Sequence, residues 1–105
     1  HNTYGLGMAN VYAAIEAGAT AVETSFGGLG GCPFTKVAAG NVATEDLVHG
    51  LQRSGHWAGQ CAGIDLAVLL GVARDVAAFF GRDLPGCVYR IGPLPIEVPA
   101  DAPVS

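Results

Sequence analysis

The residues of this chain that could do chemistry gather around one glycine-rich stretch. Gly27, Gly28, Gly30 and Gly31 fill four of five positions, and the thiol of Cys32 follows at once, with Pro33 and Phe34 behind it. Gly40-Asn41-Val42-Ala43 comes next and runs into Thr44-Glu45-Asp46, a strong helix start. Glycine at this density costs backbone entropy unless the chain must take up φ > 0 or bring its backbone against a ligand. The spacing predicts that Cys32, Asn41 and a helix N-terminus converge on one small site.

Each of these residues also has a plainer reading. A lone cysteine is often a small residue filling a turn, and a histidine at position 1 is ordinarily solvated. Asn41 after Gly40 suits a turn or the left-handed region. Glu45 is first of all a helix-start charge. His49 and His56 have no partners at ligand spacing, Cys61 and Cys87 read as structural, and Trp57 reads as packing.

The elements that must position the site follow from periodicity. Met8, Val11, Tyr12 and Ile15 recur at i, i+3, i+4, i+7, which predicts a helix over about 6–17, stopped by Gly18. His1-Asn2-Thr3-Tyr4 before it reads as a strand end. Thr20–Phe26 is rich in β-branched residues and bounded by glycines, which predicts a strand. Alternation puts Val22, Thr24 and Phe26 on one face and Ala21, Glu23 and Ser25 on the other, with Glu23 a candidate barrel-interior carboxylate. Thr44 is the expected N-cap of a second helix carrying Leu47, Val48 and Leu51 inward and ending near Gly55. Residues 55–64 read as a connecting loop. Asp65 should cap a longer helix whose Leu66, Leu69, Leu70, Ala73, Ala77 and Phe80 share a face up to a stop at Gly81. Six prolines, all beyond residue 32, punctuate mainly the tail, so residues 1–84 read as the folded part. Residues 85–105 read as an extended or disordered tail with at most a short strand at 87–91.

The order strand end, helix, strand, helix, helix contains one crossover of the kind found in parallel sheets and barrels, an α/β class. Functional groups in such folds lie at the carboxyl ends of strands, which places His1 and the 27–43 loop on the same rim. A net charge of −4, with five basic residues spread singly, speaks against a nucleic-acid or anionic-membrane surface. No apolar run reaches the roughly 18–20 residues of a membrane span. Three cysteines without CxxC spacing fit a reducing compartment.

His1-Asn2-Thr3-Tyr4-Gly5, Gly28-Leu29-Gly30-Gly31-Cys32-Pro33-Phe34 and Gly40-Asn41-Val42-Ala43-Thr44-Glu45-Asp46 together resemble the 3-hydroxy-3-methylglutaryl-CoA lyase family, closely over residues 1–60 and loosely over 64–90. Isopropylmalate and homocitrate synthases resemble the chain in the His-Asn and Gly-Asn segments, but carry a Gly-Glu-Arg type loop where Cys32-Pro33 stands here.

The resemblance implies a (β/α)8 barrel of which this chain is the C-terminal part, with Mg²⁺ or Mn²⁺ as cofactor and an acyl-CoA substrate cleaved to acetyl-CoA and acetoacetate. It implies His1 and Asn41 as metal ligands, Cys32 as the catalytic thiol, and Gly28, Gly30 and Gly31 as the glycines of loop closure. Glu45 becomes a candidate for contact with the ligands. The other metal ligands would precede His1. A homo-oligomer is implied for the complete enzyme, in the cytoplasm or, in a eukaryote, the mitochondrial matrix. An acyl-CoA condensing synthase of the same barrel type and a noncatalytic truncated fragment are the competing readings.

Overall fold

A computed structural model describes residues 1–30, 40–61 and 63–95. Four α-helices follow in chain order: α1 Gly7–Glu16, α2 Thr44–Gln52, α3 Leu66–Phe80 and α4 Val88–Ile91. Short 3-10 turns lie at Thr3–Gly5, Phe26–Gly28 and Ala58–Cys61. No helix among the described residues is long and apolar enough to cross a membrane.

The two longest helices form where periodicity places them. In α1 the apolar stripe of Met8, Val11, Tyr12 and Ile15 packs against the core and is half-buried. α3 begins at Asp65, whose carboxylate accepts the Val68 amide at 3.3 Å, and ends at Gly81 in the left-handed region at φ 66°. Both ends thus satisfy orphan backbone groups in the expected way. The core joins α2 to α3 through Val48, Leu51, Leu66, Leu70 and Ala73, and Leu84 and Tyr89 close it from the C-terminal side. Trp57 packs, its ring tilted at 32° against Tyr12 with centroids 5.2 Å apart.

Several expectations are corrected. The strand predicted at 20–26 does not form as a strand among the described residues. Ser25 has extended backbone, φ −137° and ψ 145°, but it meets Ala43 in a single parallel bridge. A strand is defined by its neighbours, and here extended chain finds a partner along one short edge only. Val22 and Phe26 are accordingly exposed, and Glu23 is exposed rather than interior. Residues 3–5 form a 3-10 turn instead of a strand end, with Tyr4 in the left-handed region at φ 58°.

Ala43, not Thr44, is the N-cap of α2. Thr44 is its first helical residue, and its hydroxyl hydrogen-bonds that of Thr24 at 2.7 Å. The helix ends at Gln52, three residues short of Gly55, and the loop beyond it contains the 58–61 turn. At 87–91 the backbone is helical, not extended. Asp46 explains this, since its carboxylate accepts the Cys87 and Val88 amides at 2.9 and 2.8 Å and so caps α4 from across the fold.

Residues 92–95 are also held. Arg53 donates to the Leu94 carbonyl at 2.5 Å, and the Leu94 amide donates to His49 Nε2 at 3.0 Å. Only a neutral imidazole can accept that bond. Burial, aided by the Arg53 charge, holds the His49 pKa below its ordinary value.

Leu70 is 2 % exposed at the α2–α3 contact. In the protein that carries this chain, Leu70→Ala is expected to cost about 2–5 kcal/mol by the lost transfer energy and the cavity left behind. A urea midpoint indistinguishable from the parent's would show that this contact is not the centre of the core.

Candidate active site

The site grows from two segments lying side by side. Ser25 donates to the Val42 carbonyl at 3.0 Å, and Thr44 donates back to the Ser25 carbonyl at 2.9 Å, so the chain at Ser25 runs parallel to 42–44. The first then turns sharply at Gly27 and Gly28, with φ of 58° and 79°. Besides the strain a side chain meets in that region, there is no room for one. A Cβ on Gly27 would enter the Leu84 side chain, and a Cβ on Gly28 would lie 2.9 Å from the Asn41 carbonyl.

Glu45 holds this turn. Its side chain is fully buried, and both carboxylate oxygens accept the Gly27 amide, at 2.9 and 2.8 Å. Burial pushes its pKa above the ordinary carboxylate value of 4.5, against the opposing pull of its hydrogen bonds to backbone amides. The sequence offers Glu45 as a helix-start charge with a possible role beside ligands. Its observed work is to fix the backbone at the root of the glycine stretch. A Glu in the first turn of an amphipathic helix carries no local mark of this, because the partner lies far away in sequence.

Asn41 is tied to the same turn twice. Its backbone amide donates to the Gly28 carbonyl at 2.9 Å, and its Nδ2 donates to the Leu29 carbonyl at 2.7 Å. With the nitrogen end of the side-chain amide committed, the end left for another partner is the oxygen. His1 is exposed and enters the same neighbourhood through the next residue, because the Asn2 amide donates to the Gly40 carbonyl at 3.0 Å. The Asn2 side chain accepts the Gly7 amide at 2.9 Å and thereby joins the start of α1 to this edge.

The structure therefore brings His1, Gly28, Gly30, Asn41 and Glu45 to one region. Gly31 and Cys32 lie outside the described residues. Cys61 is buried and free, with its thiol pKa raised by burial, and Cys87 is exposed and free.

A neutral imidazole and an amide oxygen suit a hard or borderline divalent cation such as Mg²⁺ or Mn²⁺. No group of three or more His, Cys, Asp or Glu meets among the described residues.

One contributor was invisible to sequence reasoning. The Leu84-Pro85-Gly86 segment lies on the glycine turn: the Gly86 amide donates to the Gly27 carbonyl at 2.6 Å, and a Cβ on Gly40 would meet the Pro85 ring. Pro-Gly marks a turn locally, yet nothing in the local pattern names what the turn rests against.

Comparison with known proteins decides the family. The HMGL-like family model matches residues 1–76. The chain belongs to the HMGL-like family. It is 42% identical over 106 residues to the (R)-citramalyl-CoA lyase of Chloroflexus aurantiacus, covering 98% of this chain and 31% of that protein. It is 46% identical over 82 residues to the mitochondrial hydroxymethylglutaryl-CoA lyase of Gallus gallus, covering 78% of this chain and 26% of that protein. Among solved structures, an HMG-CoA lyase from Acinetobacter baumannii in complex with coenzyme A and 3-methylmalate matches at a TM-score of 0.75 and 40% identity, over 94% of this chain and 31% of that one. The chain thus spans under a third of the length of these HMGL-like relatives. The parallel bridge of Ser25 with Ala43, which leads straight into α2, is consistent with the barrel architecture of the family.

Ionisation of Glu45 carries a desolvation cost in the fold that it lacks in the unfolded chain. A folded pKa raised above 4.5 means that the folded state holds the proton more tightly, so this contribution to stability is full at low pH and is lost as pH rises through the folded value. Glu45→Gln removes the titration. The urea midpoint of the parent is therefore expected to fall relative to that of the variant as pH is raised from about 4 to 8. A difference constant with pH would remove the raised pKa from the account.

Proposed function

We propose that the protein carrying this chain is a divalent-metal-dependent carbon–carbon lyase that cleaves 3-hydroxy-3-methylglutaryl-CoA to acetyl-CoA and acetoacetate, and that this chain supplies the C-terminal strand-helix units of its barrel. The observation that carries the proposal is the meeting of the His1-Asn2 and Gly40-Asn41 motifs, which lie apart in sequence and are joined by the Asn2–Gly40 hydrogen bond. The sequence Gly30-Gly31-Cys32-Pro33 supports the lyase over the condensing synthase. The relatives named hydroxymethylglutaryl-CoA lyase, and the coenzyme A in the structural neighbour, support an acyl-CoA thioester as substrate.

His1 Nε2 or Nδ1 and Asn41 Oδ1 are the atoms of this chain that would hold Mg²⁺ or Mn²⁺. When bound, the ion supplies a Lewis acid for the substrate hydroxyl and carboxylate oxygens. A general base takes the hydroxyl proton, the carbon–carbon bond breaks, and its electron pair passes to the thioester as an enolate while the hydroxyl carbon becomes a ketone. In this reading the Cys32 thiol gives its proton to the enolate carbon, and solvent returns a proton to the thiolate. Gly30 and Gly31 give the loop the backbone freedom to close and exclude water, which competes for the enolate, whereas Gly28 is held in the turn beneath Asn41. Glu45 takes no proton from substrate and acts through the Gly27 backbone.

A second acyl group is favoured by one finding. The relative named (R)-citramalyl-CoA lyase matches across 98% of this chain, well into the segment after residue 84. Citramalyl-CoA is accordingly the second thioester to assay.

Cys32→Ser is expected to lower kcat for cleavage on the order of 10²-fold, the scale for loss of a positioned proton donor, with KM and metal affinity little changed. Cleavage at the parent rate, or a parent that only condenses acetyl-CoA with a keto acid, would sink the lyase assignment. Asn41→Ala should weaken Mn²⁺ about tenfold or more, read by electron paramagnetic resonance titration with the circular dichroism spectrum unchanged. Equal Mn²⁺ affinity in that variant would take Asn41 out of the ligand set.

A further inference from the structure

Tyr89 is buried in α4 and away from the residues proposed to meet substrate, yet its hydroxyl brackets one residue of the clamp on the glycine turn. It accepts the Leu84 amide at 2.6 Å and donates to the Leu84 carbonyl at 3.3 Å. Leu84 is 1% exposed, and its side chain fills the space where Gly27 has no Cβ. Two residues on, Gly86 donates to the Gly27 carbonyl at 2.6 Å. The other end of the segment is fixed by Asp46 on the Cys87 and Val88 amides. A short, proline-containing segment anchored at both ends is a stiff one, because little conformational freedom is left between the anchors.

We propose that Tyr89 is a positioning residue for the metal ligand Asn41. It holds Leu84 and Gly86 against Gly27, and so sets the Gly27–Gly28 turn on which the Asn41 backbone and side-chain amides rest. The route is short and made of observed bonds: Tyr89 to Leu84, the 84–86 segment to Gly27, and the carbonyls of Gly28 and Leu29 to Asn41 N and Nδ2. If the turn shifts, the Leu29 carbonyl no longer fixes which end of the Asn41 amide faces outward, and an oxygen ligand becomes a mixture of orientations. Residues that orient a ligand rather than bind the ion are typically worth roughly 10- to 100-fold in metal affinity, and one acting at two removes should sit at or below the low end. The inference rests on the reading of Asn41 as a ligand.

Tyr89→Phe keeps the ring and removes both bonds to Leu84. In the protein that carries this chain, it should speed amide hydrogen exchange at Gly86 and Asn41 and weaken Mn²⁺ by about three- to tenfold, with the thermal transition still cooperative. Gly86→Ala gives a second route to the same effect, since its Cβ would press on the Gly27 carbonyl at 3.0 Å and on the Ala43 side chain at 3.1 Å. Unchanged exchange at Asn41 in both variants would overturn the proposal. So would faster exchange with parental Mn²⁺ affinity, which would leave Tyr89 a purely structural residue. A parent that binds no Mn²⁺ would overturn the ligand reading of Asn41 instead, and the two failures are thereby told apart.

Discussion

The Gly27 peptide is gripped on both of its polar groups. Its amide is held by the buried Glu45 carboxylate and its carbonyl by the Gly86 amide, while Leu84 packs where a side chain would stand. This double grip is the constraint on which the rest of the site depends. Burying a carboxylate is expensive unless it is well hydrogen-bonded, and the raised pKa of Glu45 records that the cost is not fully offset. A helix N-terminus reduces the cost, because Glu45 sits in the first turn of α2 where the dipole favours negative charge. The carboxylate therefore serves two backbones at once, its own helix start and the glycine turn.

Much of the frame was legible in the sequence because its signals are local. The stripe of α1, the Asp65 cap and the Gly81 stop each depend on residues within a few positions of one another, and each forms as read. The failures share one cause. A strand at 20–26 requires hydrogen-bonding neighbours on its flanks, and only Ser25 finds one, in Ala43. The segment 87–91 lies in a tail whose flanking prolines read as extended, but it becomes helical because Asp46, distant in sequence, caps it.

The same distinction separates the site residues. Gly28, Gly30 and Asn41 were readable as a group because glycine density and a Gly-Asn pair before a helix start are patterns of spacing. Glu45 was readable as a helix-start charge, which it is, but its contact with Gly27 was not readable. Leu84 stands at the end of the part read as folded and Tyr89 in the part read as tail, so neither was read as core. What they are buried against is a property of the fold.

The tied turn also resolves a tension in the glycine stretch itself. Four glycines in five positions are a poor foundation for a fixed side chain, because a freely jointed backbone would let Asn41 wander. The described structure divides the stretch. Gly27 and Gly28 spend their freedom on a positive-φ turn that is then locked by Glu45 and Gly86, and the carbonyls of Gly28 and Leu29 hold Asn41. Return of the chain at Gly40 is fixed as well, by the Asn2 amide on its carbonyl. Asn41 therefore rests on backbone secured on both sides, at the Gly27–Gly28 turn and at Gly40. The glycines at 27 and 28 thus go into a tight turn and leave no slack beneath Asn41.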